Sequence, residues 1–414
     1  MIAYREALAC LLRDVARLPA EQVPAARAAG RILAAPLRAA IDLPRFDNAA
    51  LDGYALRVAG PALPAGTQRR VAGQGVAGAP PPAPGADEAA AIMTGAPMPA
   101  GCDAVAPVEQ VQRLDAGERI RLLDTVEPGQ HVRRRGEDVA AGEAVMAAGD
   151  LLRGGHVALL AALGMAQVEV VRRPRVAVIA TGGELAAPQA ALGDAQIHDS
   201  NTPLAVARIA AAGGDVVHCA AVGDAPEAFA RALDDACAAG ADLVLSTGAV
   251  SRGSEDFVPA AVRAVGADLR FHGVRIRPGK PVLHARLRGG TPFLGLPGNP
   301  LAVAVGLRFF AEPVLRAMLG LPGERFARLP LADAHGKRAG LTTFLTARIG
   351  CGADGRLAVQ ALPQQGSFRL RPLLEQQAWA ILPEKADGVA AGEPVEVAAP
   401  GHLEALAWRP VEVP

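Results

Sequence analysis

Between Arg175 and Gly320 the sequence alternates short apolar runs with amphipathic segments, joined by links of a few residues. The apolar runs are RVAVIAT, DVVHCAAV and DLVLST, and the segments between them carry apolar residues at helical spacing. Because each run is too apolar for a half-exposed strand, we predict a parallel sheet covered by helices on both faces. This pattern excludes an all-helical or an all-β fold for this part of the chain.

Polar and small residues follow three of these predicted strands, at Thr181–Glu184, Asp224 and Ser246–Asp256. Because ligands bind at the carboxyl ends of the strands in such sheets, we expect these residues to meet on one rim. Backbone N–H groups of small residues can form an anion-binding nest, and carboxylates suit Mg²⁺ that shares substrate phosphates. From periodicity alone, a solvated loop explains the same acids equally well.

Two further motifs in this region carry groups that bind anions. RPGKP at Arg277–Pro281 places two cations three residues apart around a Pro-Gly turn, which suits an oxyanion clamp. GLPGNP at Gly295–Pro300 precedes a helix predicted over Asn299–Leu319. Asn299 fits the N-cap of this helix, and a helix N-terminus attracts anions. An ordinary solvated turn accounts for either motif as well.

The regions on either side have different patterns. Apolar spacing predicts helices over Ala7–Leu18 and Ala25–Leu33, and residues 44–138 predict a small β-rich domain. The stretch Gly142–Val171 predicts a strand, a helix and a second strand. After Pro322, apolar runs separated by Gly and Pro predict a β-barrel or β-sandwich. The predicted fold class is therefore α/β plus β, in several domains.

Composition and missing motifs exclude several classes of function. The 414 residues carry 42 basic and 42 acidic side chains, so the whole chain has no electrostatic footprint for nucleic acid or an anionic membrane. The five cysteines form no CxxC pair, which indicates free thiols in a reducing cytoplasm. The N-terminal segment is typical of an amphipathic helix rather than a signal peptide, and no uninterrupted apolar run reaches the ~20 residues that span a bilayer. HExxH and Walker motifs are absent.

A set of short motifs occurs together in one order along the chain. They are FDNAALDGYA, IMTGAPMPAGCDAV, RRRGEDV, ATGGEL, DSN, STGAVSRGSED, RPGKP, GLPGNP and QGS. In this order the chain resembles the molybdopterin molybdenumtransferase family, MoeA and the E domain of gephyrin, over about residues 1–410. Each motif is weak alone, and the ordered set is specific.

The resemblance implies a role in molybdenum cofactor biosynthesis. Adenylylated molybdopterin and molybdate would give the cofactor with release of AMP, in the presence of Mg²⁺. The implied fold is an elongated homodimer with four domains per subunit, one of which is a doubly wound α/β domain similar to MogA. MogA-like adenylyltransferases act just before this step, so such an enzyme is a candidate partner. The implied cleft lies between that domain and the small β-rich domain of the partner subunit.

The resemblance also suggests how the chain is divided. The predicted domains are 1–43 with 139–172 for linkage and dimerisation, 44–138 as an inserted β-rich domain, 173–322 for molybdopterin binding, and 323–414 as a C-terminal β domain.

Functional roles carry over to residues whose motifs match the family. The catalytic candidates are Asp52, Thr94, Asp138, Glu184, Asp224, Asp256 and Lys280. The candidate Mg²⁺ ligands are Glu184, Asp224 and Asp256. The candidate substrate-binding residues are Arg133, Thr181, Asn201, Ser246, Gly248, Ser251, Arg277, Pro281, Pro297, Gly298, Asn299 and Ser367. The resemblance implies that molybdate lies near Arg277, Lys280 and Ser367.

The sequence departs from the family pattern at several positions. Gly183 stands where an Asp is usual, Ala249 replaces a Gly, Arg277 replaces a Lys, Ala302 replaces a Ser and Thr346 replaces an Arg. Three of these changes fall on groups that could hold molybdate. Two alternatives therefore stay open, a pterin-binding paralogue with lost or altered metal insertion and a molybdopterin adenylyltransferase that consumes ATP.

Overall fold

The computed structural model describes residues 1–250, 257–352 and 355–406. Within them the α-helices are α1 Tyr4–Leu12, α2 Gly154–Ala162, α3 Asn201–Ala211, α4 Pro226–Ala238, α5 Val258–Ala264, α6 Pro300–Gly306, α7 Glu312–Met318 and α8 Arg371–Glu375. Short 3₁₀ turns lie at Ala25–Arg27, Val108–Gln110 and Asp115–Gly117, and a π-helical turn, Leu307–Ala311, joins α6 to α7. None of these helices has the length and apolarity that crossing a membrane requires.

The strands of the described residues are mostly short. They are β1 Ala20–Pro24, β2 Leu37–Arg38, β3 Asn48–Ala49, β4 Gly53–Leu56, β5 Gln68–Gly75, β6 Glu88–Ile92, β7 Ala104–Pro107, β8 Val111–Leu114, β9 Arg119–Leu122, β10 Val132–Arg133, β11 Ala144–Met146, β12 Gln167–Val171, β13 Arg175–Thr181, β14 Leu185–Ala186, β15 Ile197–His198, β16 Asp215–Val222, β17 Leu243–Thr247, β18 Asp268–His272, β19 Ile276–Arg277, β20 Leu283–Arg286, β21 Pro292–Leu296, β22 Ala327–Pro330, β23 His335–Gly336, β24 Thr342–Cys351, β25 Leu357–Ala361, β26 Ala378–Leu382, β27 Gly388–Val389 and β28 Pro394–Ala398.

The chain folds into two compact units, the first made of Met1–Glu21 and Val171–Pro414 and the second of Gln22–Val170. At the centre of the first unit is a six-stranded sheet with the order β16-β13-β17-β21-β20-β18. The first four of these strands are parallel, as the sequence predicts, but β20 and β18 are antiparallel to their neighbours. The prediction of a wholly parallel sheet is wrong at this edge. The five-residue link 287–291 is too short for the crossover that a parallel pair needs.

Alternate residues of the central strands face two separate apolar cores. Val178 and Leu245 pack in the core that contains α1, α3 and α6, whereas Ile179 and Val244 pack in the core that contains α4 and α5. Helices therefore cover both faces of the sheet, which explains why these strands lack polar alternation. The edge strand β16 is the exception, because most of its residues are half-buried or exposed.

The first unit contains a second sheet, whose strand order is β19-β24-β26-β28-β22. β25 pairs with β24, and a bridge between Leu331 and Val359 brings β25 back to the residue that follows β22. The path from β25 to β22 thus closes around an apolar core that includes Leu345, Ile349 and Val395. β19 contains Arg277, so this sheet also anchors one side of the RPGKP turn.

A buried ionic network fixes α7 and the segment after β28. Glu312 is 2% exposed, and its carboxylate accepts hydrogen bonds from Arg208 of α3 and from the backbone N–H of His402. Arg308, 1% exposed, donates to both carboxylate oxygens of Glu324 at 2.9 and 2.6 Å and to the carbonyl of Ala399. Because both charges are paired and hydrogen-bonded, the network offsets the cost of their burial.

The second unit is built on a six-stranded sheet with the order β7-β4-β6-β5-β9-β8. Its pairs are antiparallel except β5 with β6, and its core includes Tyr54, Leu56, Ile120 and Leu122. Two-stranded ribbons, β1 with β12, β2 with β11 and β3 with β10, complete this unit together with α2.

Two helix predictions near the N-terminus need correction. The helix predicted over Ala25–Leu33 is wrong, because only a 3₁₀ turn forms at its start and Ile32 and Leu33 bridge to Leu151 and Val170. The helix predicted over Ala7–Leu18 ends at Leu12. Tertiary pairing overrides the apolar spacing in both places. The four-domain division stays a prediction.

Two buried histidines predict acid sensitivity of the first unit. Burial lowers the pKa of His284 to about 4 and that of His402 to about 3. The unfolded chain therefore binds more protons than the folded chain between these values and about pH 6.5. Above about pH 6.5 the two histidines do not reduce the free energy of unfolding. Below that pH they lower it as the pH falls, by up to about 1.4 kcal/mol per pH unit for each histidine.

The test is urea denaturation of the wild type and of His402→Gln between pH 4 and pH 7. We expect a shallower dependence of the unfolding free energy on pH in the variant, because one titrating group is gone. Equal slopes in the two proteins would contradict the assignment to His402.

Candidate functional site

A cleft of about 730 Å³ opens at the carboxyl ends of the parallel strands in the first unit. We call it the acidic cleft, because Glu184, Asp199 and Asp224 line it. Its other lining residues include Thr181, Gly182, Ile197, His198, Asn201, Thr247, Gly248, Ala249, Gly298, Asn299, Phe368 and Leu370. The rim expected from the sequence thus forms a single concave surface, and it contains Thr181, Glu184 and Asp224.

Two glycines, Gly182 and Gly183, allow the carboxylates of Glu184 and Asp224 to lie close to the backbone that follows β13. The N–H of Gly183 donates to Asp224 Oδ2 at 3.0 Å, and a Cβ on Gly183 would lie 3.1 Å from the same oxygen. Gly182 has φ +150, and a Cβ there would lie 2.5 Å from Glu184 Oε2. A side chain at either position would displace a carboxylate, so the departure at Gly183 is compatible with the observed place of Asp224.

At the floor of the cleft, the end of β13 lies very close to the backbone that follows β17. Gly248 has φ +92, and a Cβ there would lie 2.4 Å from the carbonyl oxygen of Thr181. The Thr181 hydroxyl donates to the carbonyl of Thr247 at 3.0 Å. Ala249, which departs from the family glycine, has φ +48. A left-handed conformation costs a residue with a Cβ roughly 1–2 kcal/mol, so the backbone at Ala249 is strained.

Three polar residues join α3 to the start of α6 across the cleft. The carboxylate of Asp199 accepts from the N–H groups of Asn201 and Thr202, which makes Asp199 the side chain that caps α3. The amide Nδ2 of Asn201 donates to the carbonyl of Gly298 at 2.7 Å. Asn299 occupies the N-cap position of α6, but its side chain makes no capping hydrogen bond. The prediction that Asn299 is the N-cap residue of this helix is therefore confirmed, and its side chain stays available on the cleft wall.

A second pocket of about 490 Å³ adjoins the first, and Ala249, Gly298 and Asn299 line both. We call it the cation pocket, because Arg277 and Lys280 line it. Its wall also includes Pro278, Gly279, Pro281, Pro297, Ala302, Leu341, Gln365, Gly366 and Ser367. Arg277, Lys280 and Ser367, which the sequence assigns to one oxyanion, therefore share a pocket.

Backbone contacts position the cations and the serine. The carbonyl of Lys280 accepts from the N–H of Val274 at 2.9 Å, and the N–H of Leu301 donates to the carbonyl of Ser367 at 2.9 Å. Both cationic side chains are exposed. Arg277 also lowers the pKa of His335, after the larger effect of that residue's burial. The pocket is therefore open to solvent and positive.

Of the five departures from the family pattern, Ala249, Arg277 and Ala302 line the cation pocket, and Thr346 contacts the wall residue Gln365. Ala302 lines the pocket without a hydroxyl group. Thr346 is buried, and its N–H and hydroxyl both donate to Gln365 Oε1, at 3.1 and 3.2 Å. The amide of Gln365 donates back to the carbonyl of Thr346 at 2.9 Å. Thr346 therefore contributes to the pocket through Gln365 and supplies no charge.

The remaining candidates lie in the second unit, around the ends of β3, β6 and β10. Asp52 accepts from the N–H and the hydroxyl of Thr94 at 2.6 and 2.8 Å, and these hydrogen bonds lower the pKa of Asp52. Arg133 pairs with Asn48 across β10 and β3, and its side chain is exposed. Asp138 is exposed, and its N–H donates to the carbonyl of Leu43.

One predicted residue, Ser246, lies away from these surfaces. Ser246 is fully buried, does not line either pocket, and its Oγ has no hydrogen-bond partner among the described residues. Ser251 and Asp256 lie outside the described residues. Within the part of the chain that the structure describes, no group of three or more His, Cys, Asp or Glu side chains could hold a metal ion.

The site residues predicted from the sequence leave out several lining residues, among them Ile197, Asp199, Gln365 and Phe368. Asp199 could have been found as a helix cap two residues before Asn201. Gln365 begins the QGS motif at Gln365–Ser367 and Phe368 follows it, but no local pattern shows that this loop reaches the sheet.

Three family models match successive parts of the chain. They are described as the MoeA N-terminal region (domain I and II) over residues 2–164, a "probable molybdopterin binding domain" over residues 177–317, and the MoeA C-terminal region (domain IV) over residues 328–399. A molybdopterin molybdenumtransferase of Synechococcus elongatus is 39% identical over 410 residues, which cover 96% of this chain and 99% of the relative.

The chain belongs to the molybdopterin molybdenumtransferase family. Molybdopterin molybdenumtransferase 2 of Mycobacterium tuberculosis is 36% identical over 91% of this chain and 94% of its own length. The crystal structure of a molybdopterin biosynthesis moeA protein from Pyrococcus horikoshii OT3 matches with a TM-score of 0.80 and 29% identity, covering 96% of this chain and 100% of that chain. The resemblance that the ordered motifs showed is confirmed, as is the multi-domain fold with an α/β domain and β-rich domains.

The contact between Gly248 and Thr181 gives a prediction about stability. Gly248→Ala is expected to lower the free energy of unfolding by at least about 1 kcal/mol, because a Cβ is disfavoured at positive φ and meets the Thr181 carbonyl. Gly298→Ala is the matched control, since a Cβ there would lie 3.7 Å from the Cα of Gly248 and should change stability by no more than about 0.5 kcal/mol. Equal urea midpoints for the two variants would refute the close approach.

Proposed function

We propose that this protein transfers molybdenum from molybdate to adenylylated molybdopterin and releases AMP. The observation that carries the proposal is the pair of adjoining pockets with opposite charge. The acidic cleft holds Glu184 and Asp224, and the cation pocket holds Arg277 and Lys280. This arrangement fits two substrates, one that carries a phosphoanhydride and one that is an oxyanion. Each would bind in its own pocket, and the adjoining pockets would hold the two close together.

The donor set of the acidic cleft fits Mg²⁺. Of its three carboxylates, Asp199 caps α3, which leaves Glu184 and Asp224. Mg²⁺ typically takes one or two carboxylates together with substrate phosphates and water. Asp256 is the third proposed ligand. The chemistry that a bound Mg²⁺ supplies is neutralisation of charge on the phosphate that leaves.

The chain's own residues would bind and orient the two substrates. Arg277 supplies a planar donor fork and Lys280 a compact charge, and both suit an oxyanion such as molybdate. The hydrogen bond from the N–H of Leu301 to the carbonyl of Ser367 fixes the backbone of the serine, whose side chain lines the same pocket. We propose that Asn201, Gly248 and the other lining candidates contact the pterin and its pyrophosphate.

The second unit contributes to the proposal through the Asp52–Thr94 pair. The lowered pKa of Asp52 keeps its carboxylate ionised at neutral pH, which suits binding of a hydroxyl or amino group of the substrate. Arg133 and Asp138 are proposed to act in the same surface. The homodimer, the partner adenylyltransferase and the cytoplasmic location remain predictions.

One observation favours a second candidate, a pterin-binding paralogue with weakened metal insertion. In the cation pocket, Ala302 lacks a hydroxyl group and Thr346 is engaged by Gln365. This candidate predicts tight binding of adenylylated molybdopterin without release of AMP. The adenylyltransferase alternative has no such support, since the family match extends over the flanking domains as well.

The deciding experiment measures AMP release from adenylylated molybdopterin by the purified protein with Mg²⁺, with and without molybdate. Molybdate-dependent release together with active cofactor supports the transferase. Binding without release supports the paralogue.

The cation pocket predicts a specific effect on molybdate. Lys280→Ala is expected to raise the KM for molybdate roughly tenfold or more, because a charge-assisted contact is lost. Lys385→Ala is the matched control, since Lys385 is an exposed lysine that lines neither pocket. An unchanged KM for molybdate in Lys280→Ala would remove Lys280 from the oxyanion site.

The acidic cleft predicts an effect on turnover. Asp224→Asn keeps an oxygen that can accept from the N–H of Gly183 but removes the charge, so the fold should hold. We expect AMP release to fall at least roughly tenfold, as for loss of one charge-stabilising group. The variant's Tm should stay close to that of the wild type. Wild-type turnover in this variant would exclude a role for Asp224 in metal or phosphate binding.

A further inference from the structure

Phe368 is an exposed aromatic side chain on the wall of the acidic cleft. It is 65% exposed, whereas Phe229, Phe293, Phe309, Phe310 and Phe344 are fully buried. Leu370, 44% exposed, and Ile197, 56% exposed, line the same cleft. Burying an aromatic ring is favourable, so a ring left exposed next to carboxylates does not contribute that free energy to the folded chain.

A tight turn fixes the backbone on which Phe368 stands. The N–H of Arg369 donates to the carbonyl of Gly366 at 3.0 Å, and the N–H of Leu301 donates to the carbonyl of Ser367 at 2.9 Å. The turn therefore rests on the start of α6. Ser367 lines the cation pocket and Phe368, the next residue, lines the acidic cleft.

Two contacts hold the ring of Phe368 in place. A Cβ on Gly366 would lie 3.1 Å from Cε1 and 3.5 Å from Cδ1 of the ring, so the ring rests against the glycine backbone. The guanidinium carbon of Arg369 lies 5.1 Å from the ring centroid, within the range of a cation–π contact. These two neighbours restrict the orientations open to the exposed ring, which lowers the entropic cost of binding.

We propose that Phe368 is a stacking platform for a planar nitrogen heterocycle of the substrate in the acidic cleft. This inference rests on the proposed function and deepens it, because it names the group that the apolar strip of the cleft recognises. Adenine and pterin share the required chemistry, a flat polar-edged ring with an open π face. Stacking on an aromatic side chain discriminates against ligands without such a ring.

The position of the turn adds a geometric consequence. Because adjacent residues enter the two pockets, a ring bound on Phe368 lies close to an oxyanion bound at Ser367. Stacking would thus help to align the substrate with molybdate as well as increase its affinity.

The experiment measures dissociation constants by calorimetry for AMP, for 6-carboxypterin and for ribose 5-phosphate, which lacks a ring. The proteins are the wild type, Phe368→Ala, Phe368→Trp and Gly366→Ala, with Leu374→Ala as control. Leu374 is an apolar residue, 85% exposed, that does not line the cleft. We expect Phe368→Ala to weaken the stacking ligand roughly tenfold and to leave ribose 5-phosphate unchanged. Phe368→Trp should retain the affinity, and Gly366→Ala should reproduce part of the loss because its Cβ displaces the ring.

Weakening of AMP alone assigns the platform to the adenine, and weakening of 6-carboxypterin alone assigns it to the pterin. Either result supports the proposal. Equal affinities of the wild type and Phe368→Ala for both ring ligands overturn it, even if the wild type releases AMP in a molybdate-dependent reaction and the proposed function stands. A wild type that binds neither ring ligand and releases no AMP would overturn both.

Discussion

The in-register parallel pairing of β13, β17 and β21 is the constraint on which the site depends. Ala180 pairs with Thr247, and Thr247 pairs with Leu296, so the three strands end at one level. The chain must then turn three times within a small space. Gly248 makes this possible, because any Cβ there would meet the carbonyl of Thr181. The polar groups that follow each strand are thereby brought into the acidic cleft and the cation pocket.

The second sheet of the first unit supplies the other walls of the two pockets. It anchors the RPGKP turn through the pairing of Arg277 with Thr343, and its loop delivers Gln365, Ser367 and Phe368 to the pocket walls. One hydrogen bond, from the N–H of Leu301 to the carbonyl of Ser367, connects that loop to the start of α6. The wall of the cation pocket is thus held by backbone contacts at both sides, and the side chains of Arg277 and Lys280 are exposed on it.

The departures from the family pattern have different structural meanings. Gly183 leaves room for Asp224, and Ala249 adopts a strained left-handed conformation with φ +48. Ala302 and Thr346 change the chemistry of the cation pocket, since neither offers the pocket a charge or a free hydroxyl group. The acidic cleft therefore keeps the carboxylates of Glu184 and Asp224, whereas the wall of the cation pocket has Arg277, Lys280 and Ser367.

The sequence by itself determined the family, the strand and helix alternation of residues 175–320, and the small set of polar residues at the strand ends. Local patterns carry this information, because apolar spacing and motif order are properties of neighbouring residues. It could not show that β20 and β18 are antiparallel, that the side chain of Asn299 makes no capping hydrogen bond, or that residues 25–33 avoid a helix. Only the tertiary structure decided these points and the placement of Phe368 in the acidic cleft. Each depends on contacts between segments far apart in sequence, whose free energies exceed the local preferences of the residues involved.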